Sequence, residues 1–383
     1  MLQSFYNGLG AMNSYSQGLD TISDNVANMN TVGFRAKDSR FSNMLDSQSG
    51  RGLGAQVADP SLRDTKGEIR GTGVATNLAI TGGQLFYLRS GDEMILTRSG
   101  QFELNENDTL VHTDSGYIVQ AVNESGVAFD INIEERRELP FEPTTEVTLV
   151  GELGSEDELH TVSNIVVFDG EGRRHSLVLE FTRADDGWSV DIKKNEEILD
   201  SMKLVFADDG TLTDGTSDYN RLINLGGVDN SISFNFGEIG TLDGVVLFNG
   251  SQSSVAANDI DGRAVVNLTG LAFDDFGQMI FSYANGEEVK ADYVALADTR
   301  LNNLNELSGS YFTVKDRAAV VISRAGQDGF GAIIPESLEL SNVDLTDEFA
   351  NILIMQRGYQ AGSRIMTVAN EMIEQLYGGG SRG

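Results

Sequence analysis

The sequence predicts a mainly β protein with α-helical termini. Three observations carry that reading. Narrow apolar stripes at helical spacing lie near both ends, short runs of strict alternation lie between them, and 43 Gly stand against 4 Pro, a balance suited to many tight turns.

The N-terminal stripe comes first. Leu2, Phe5, Leu9, Met12, Leu19 and Val26 recur at intervals of a helical seam, with Ser16 and Ser23 at its small positions. Within "GLDTISDNVANMNTVGFRAKDSRF" (18–41), Leu19, Ile22, Val26 and Met29 share one stripe until "NTVGFRA" breaks the pattern. Residues 46–70 are polar and Gly-containing and are expected to be extended. The region of Pro140 and Pro143 marks a second expected boundary.

The middle alternates. "HSLVLEFT" (175–182) sets Leu177, Leu179 and Phe181 on one face, "GWSVDIKK" (187–194) does so with Trp188, Val190 and Ile192, and "SISFNFGE" (231–238) with Ile232, Phe234 and Phe236. Turns rich in Gly, Asp and Asn separate such runs, the pattern of antiparallel sandwiches and barrels. "FDGEG" (168–172), "FADDG" (206–210) and "FDDFG" (273–277) predict similar hairpin tips.

The C-terminal helix has the longer register. Asp344 is an expected N-cap, with Asp347 and Glu348 complementing the helix dipole in the first turn. Ile352, Met355, Tyr359, Gly362, Met366, Ala369, Ile373 and Leu376 then follow heptad spacing, until "GGGSRG" (378–383) is expected to stop it.

Charge separates the ends from the middle. The chain carries −31, from 27 basic and 58 acidic residues. Residues 1–45 are net zero, 341–383 are net −2, and the middle holds the remaining −29. Such a field repels a phosphate backbone, so no nucleic-acid partner is expected. No cysteine is present, which removes disulfides, thiolate catalysis and Cys-based zinc sites. No secretory signal is legible, and no apolar run is long enough for membrane insertion.

No enzyme is predicted, and no cofactor or metal. The acidic turns lack EF-hand spacing and suit solvated β-turns better than calcium sites. His112, His160 and His175 are far apart and fit no metal-binding motif. Phosphate-loop, nucleophile-elbow and dinucleotide signatures are missing, and the Asp185–Asp186 and Asp208–Asp209 pairs fall in expected turns. The terminal seams remain. They fit an intramolecular helical pair, helices laid on the β-body, or contacts with neighbouring chains. Stripes kept nearly uncharged beside an acidic body favour burial in an assembly.

Both ends carry a resemblance. "LDTISDNVANMNTVGFRA" (19–36) resembles the N-terminal signature of bacterial flagellar axial proteins, the rod and hook family. "LELSNVDLTDEFANILIMQRGYQAGSRIMTVANEMIEQL" (338–376) is similar to their C-terminal signature. "GTGVATNLAITGGQLFYL" (71–88) and "TRSGQFELNENDTLVHTDSGYIVQA" (97–121) resemble the first body domain of the hook and distal rod family, while "VVFDGEGRRHSLVLEFT" and "IFSYANGEEVKADYVALAD" resemble the hook-type member specifically, with roughly 123–283 as the segment that rod subunits lack. "TRLNNLNELSGSYF" (299–312) departs from the family's usual Asn-Pro after "ALAD".

The resemblance implies paired N- and C-terminal coiled-coil helices plus two antiparallel β-domains formed by nested chain segments. The implied domains are 1–30 with 341–383 as the inner coiled coil, 31–70 as an extended connection, 71–122 with 284–340 as the first β-domain, and 123–283 as the outer one. It also implies a structural subunit of a curved hollow hook that joins rod to filament, without a cofactor. Its partners would be copies of itself, distal rod, hook cap and hook–filament junction proteins, and the flagellar type III export apparatus. The chain would lie outside the cell, exported without a cleaved signal. Asn25, Asn28, Gly33 and Phe34 would form the joint where the chain leaves the inner layer, with Asn25, Asn28 and Asn30 capping local backbone. Phe5 and Leu9, in "FYNGL", resemble the family's export-gate element, though the helical seam is the better-supported use of these two residues, and the two uses are compatible. A distal rod or other axial subunit is the nearest alternative, and an acidic secreted β-sandwich binding module a more distant one.

Overall fold

The computed structural model describes residues 2–45, 52–185, 187–213, 219–225, 229–250 and 252–379. The protein is mainly β, with two long helices, α1 (Leu2–Ala27) and α2 (Leu345–Gly379), at its ends. Its contacts define two units. The terminal unit comprises Met1–Glu135, Gly270–Ser282 and Glu288–Gly383, and the inserted unit Arg136–Thr269 and Tyr283–Glu287. These limits are narrower than the outer domain expected over 123–283. Residues 128–130 pair back onto 120–122, and 278–282 pair with 288–293, so pairing holds both segments in the terminal unit.

The inserted unit has two sheets around one core. A four-stranded antiparallel meander runs through Leu159–Phe168, Arg174–Ala184, Gly187–Lys194 and Glu197–Leu204. The expected runs at 175–182 and 187–194 lie in its two middle strands, and Leu177, Leu179, Phe181, Trp188, Val190 and Ile192 all face the core. The second sheet is not wholly antiparallel, as had been expected. Its central strand Glu146–Gly154 runs parallel to Asp229–Asn235 and to Val245–Phe248, and antiparallel to Ala256–Ile260. Alternation fixes which face a residue takes but is the same for either direction of pairing. Here the whole meander separates Glu146–Gly154 from its first parallel neighbour, the length of crossover that parallel pairing requires.

The acidic tips are built by side-chain capping. Asp169 Oδ1 accepts from the amides of Glu171 and Arg173, both at 2.9 Å, and Asp274 Oδ1 from those of Phe276 and Gln278 at 2.9 and 2.8 Å. Gly172 and Gly277 close these turns at φ +76° and +73°, a conformation cheap only for glycine. In "FADDG" the capping position is Ala207 instead, and Asp209 caps Thr211. Burial pushes the Asp169 carboxyl up, but His175, Arg173 and backbone amides outweigh it and hold it well below the usual carboxylate range. His160 bonds Val255 O at 2.8 Å, and among the described residues no cluster of His, Asp or Glu could hold a metal ion.

In the terminal unit, Leu85–Ser90 and Glu93–Thr97 form a hairpin, flanked by Ile118–Val122 and Tyr311–Val314. Leu85, Tyr87, Leu96, Ala295 and Phe312 fill its core. Within the 31–70 segment, β1 (Lys37–Leu45) pairs antiparallel with β2 (Gly52–Leu62), beginning at Lys37 opposite Leu62. The register shifts where Asp59 and Pro60 face Ser39, and a bulge tolerates a proline there. Residues 46–51 of this segment lie outside the described residues. Asp344 caps α2 as expected, accepting from Thr346 N at 2.7 Å. The helix runs on through Gly378 and Gly379, and the rest of "GGGSRG" lies outside the described residues. Among the described residues, no helix is long and apolar enough to cross a membrane.

Candidate functional site: the junction of the two chain ends

The helices α1 and α2 pack antiparallel, and glycines set how closely. A Cβ on Gly8 would lie 3.2 Å from Gly362 O, and one on Gly362 would lie 3.0 Å from Met12 Cγ. One on Gly18 would lie 3.1 Å from Met355 Sδ. At Gly358 a Cβ would fall 2.7 Å from Tyr15 Cε2 and 2.5 Å from its Cε1. The α2 partner number falls as the α1 number rises, so the direction is read directly from these contacts.

The expected seam residues divide. On α1, Met12 is buried and Phe5, Leu19 and Val26 are half-buried, but Leu9 is 46% exposed. Gly8, Gly18 and Ile22 take the buried stripe, with Tyr15 half-buried beside them. On α2, Ile352, Met355, Met366 and Ile373 are half-buried around the buried Gly362 and Ala369, while Tyr359 is 44% exposed and Gly358 receives Tyr15 instead. The side chains of Leu2 and Leu376 lie outside those described. Phe349, Leu353, Ile354, Ile365, Val368 and Met372 leave α2 with an exposed apolar surface.

Beyond α1 the chain turns sharply. The Asn28 carboxamide donates to Asp24 O at 2.9 Å, a local bond to a terminal helical carbonyl, and accepts from Thr31 Oγ1. Gly33 follows at φ +68° and donates its amide to Glu339 O at 2.8 Å. A Cβ there would lie 2.7 Å from the Arg98 carbonyl carbon, so this backbone approach requires glycine. Phe34 is 2% exposed. Asn25 differs from the local capping expected of it. Its carboxamide accepts from Lys37 N and donates to Lys37 O, both at 2.9 Å, twelve residues away, and reaches Glu348 Oε1 at 3.3 Å.

The C-terminal signature supplies the other half of this junction. Asn342 Oδ1 accepts from Ala36 N, and its Nδ2 donates to Thr65 O, both at 2.7 Å. Glu348 is 1% exposed and accepts from Arg63 at 3.1 Å, whose guanidinium also binds Asp38 at 2.6 Å. Lys37 Nζ sits between Asp24 at 2.8 Å and Glu306 at 2.7 Å. Burial acts to lower the Lys37 pKa, but the two carboxylates raise it overall. Beneath Gly33, the buried pair Arg98–Glu339 is satisfied further by Ile80 O, Gly82 O and Gly67 N. Sequence reasoning did not single out Arg63, Asn342 or Glu339. Asn342 and Glu339 both stood within the quoted C-terminal signature, but the bonds they make, like those of Arg63, have no local spacing to reveal them.

These two halves coincide with two recognised sequence families. Residues 5–35 match the family described as "Flagella basal body rod protein", and residues 334–377 that described as "Flagellar basal body rod FlgEFG protein C-terminal". The flagellar hook protein FlgE of Treponema pallidum is 25% identical, over 98% of this chain and 99% of that protein. FlgE of Escherichia coli is 25% identical over 97% and 99%, and that of Brucella suis 26% over 96% of each. Among solved structures, flagellar hook protein FlgE2 of Helicobacter pylori aligns at 10% identity and a TM-score of 0.45, over 70% of this chain and 100% of that one, too loosely to bear on the fold. The two ends of the chain match models of the flagellar basal body rod family, and nearly its whole length is similar to flagellar hook proteins.

Proposed function

We propose that this chain is the structural subunit of a bacterial flagellar hook, polymerising into a curved hollow tube that transmits motor torque from rod to filament as a flexible joint. It has no catalytic role in this reading and needs no cofactor. The observation that carries it is the full-length likeness to hook proteins, with the two terminal signatures meeting at one buried junction. The α1–α2 pair acts as the inner coiled coil, and the exposed apolar surface of α2 is covered by neighbouring copies. The β-units project as nested outer domains whose acidic surfaces make wet, adjustable contacts as each row of subunits shortens and lengthens. Distal rod, hook cap and junction proteins bound the polymer. The subunit leaves through the flagellar type III export apparatus, with Phe5 and Leu9 as its recognition element, and works outside the cell.

Electron microscopy of flagellar structures from a deletion strain tests this, with complementation by residues 1–383 or 31–383. A rod without a hook in the deletion, and a curved tube restored only by the full chain, is the expected result. Hooks that persist in the deletion strain refute it.

A further inference from the structure

Arg35 follows Phe34 out of the turn at Gly33 and is 5% exposed. Its guanidinium donates through Nη1 to Arg63 O at 3.5 Å and Thr65 O at 3.3 Å, both long for such a donor. No carboxylate pairs with it among the described residues. The neighbouring buried carboxylate, Glu339, is held by Arg98, and burial, together with the like charge of Arg35, disfavours the charged form of Arg98. A buried cation with no counter-charge is costly.

Arg35 lines a small cavity with Gly83, Leu85, Thr299, Leu304 and Phe312. The room there for the centre of a water-sized particle is about 10 Å³, enough for one small ion or solvent molecule. The cavity shares Leu62, Leu301 and Leu304 with an outer cleft of 460 Å³, whose rim carries Lys37, Arg40 and Lys315 beside Asp59 and Glu306. In a chain with 58 acids and 27 bases, this mouth, where three cations stand against Asp59 and Glu306, is less acidic than the average surface and repels a small anion less.

We infer that this cavity binds one small monovalent anion, the size of chloride or formate, as the counter-ion of Arg35, and that the bound ion fastens the exit turn to the β-core beside it. The inference stands apart from the hook assignment, because it concerns the free chain. Hydrogen exchange of the full-length monomer tests it. The amides of 35–37 are followed at constant ionic strength as glucuronate, a monovalent carboxylate too large for the cavity, is replaced by chloride or formate. Exchange should slow in proportion to one plus the ratio of anion concentration to Kd, by roughly tenfold at nine times Kd. Arg35→Gln should abolish the effect. Ala297→Val should also abolish it with the cation in place, since Ala297 is a fully buried residue of the cavity lining and the added methyls take up the ion's room, and this variant decides the matter if Arg35→Gln does not fold. Equal exchange in all three anions, or an anion effect that survives in either folded variant, overturns the inference.

Discussion

The Asn25 carboxamide and the Lys37 backbone exchange two hydrogen bonds of 2.9 Å across twelve residues, so one side chain closes the turn by which the chain leaves α1. The arrangement copies one rung of a β-ladder, with a side chain standing in for a strand. Because Asn25 is fully buried and also touches Glu348, it ties α1, β1 and α2 at a single point.

Asn25→Asp replaces a donor with an acceptor that faces Lys37 O and the Glu348 carboxylate. A buried group left facing acceptors costs the full desolvation of that group, so a loss of about 2–4 kcal/mol is expected. Urea unfolding should show it. Hydrogen exchange at Lys37 should accelerate more than exchange in the inserted unit. A loss below about 1 kcal/mol, within the range of one ordinary hydrogen bond, would deny Asn25 its central place.

The helix pair gives a second expectation. Gly358→Leu drives a side chain into the space of the Tyr15 ring, and close packing tolerates no such overlap without separating the helices. Cells carrying it should export the subunit yet build few or no hooks. Tyr15→Ala should partly restore assembly in the double variant, whereas on its own it leaves a cavity and weakens it. Additive defects in the two single variants and the double would show that these residues do not share a contact.

How much of this was legible depends on what a period can encode. Part of the α2 stripe was legible because heptad spacing picks out Ile352, Met355, Met366 and Ile373, half-buried, and Gly362 and Ala369, buried, whereas Tyr359 on the same register is exposed. Leu9 misled because size favoured it over Gly8, while the contact with Gly362 needs the smaller residue. Glu348 had a sufficient local explanation, the helix dipole, which concealed its bonds to Asn25 and Arg63. The parallel strands around Glu146–Gly154 could not be read either, since alternation is blind to direction.

Gly33→Ala tests the turn itself. The left-handed conformation costs a residue with a Cβ about 1–2 kcal/mol, and here that Cβ also meets the backbone of Arg98 and Ser99. Overpacking adds about 1–3 kcal/mol. The expected total is therefore about 3 kcal/mol, seen as a lower denaturation midpoint with an unchanged urea slope. A change under about 1 kcal/mol would mean that the turn relaxes freely and does not fix the exit.

Acid should weaken the same region through His112. The ring is fully buried, with Nδ1 accepting from Tyr311 Oη at 3.0 Å and Asp114 N at 3.3 Å, so Nε2–H donates to Ser99 Oγ at 3.0 Å. Burial lowers its pKa from 6.5 to about 4, against the opposing charge of Asp114. The unfolded chain therefore binds a proton that the folded one refuses between these values. Stability is full above pH 6.5, falls as pH drops toward 4, and is flat below that; the whole loss is about 3 kcal/mol at most. His112→Gln removes the titration, so the difference between wild type and variant should shrink with acidification across this window. A difference that stays constant from pH 7 to pH 4 would mean that His112 is protonated as readily in the folded protein as in the unfolded chain.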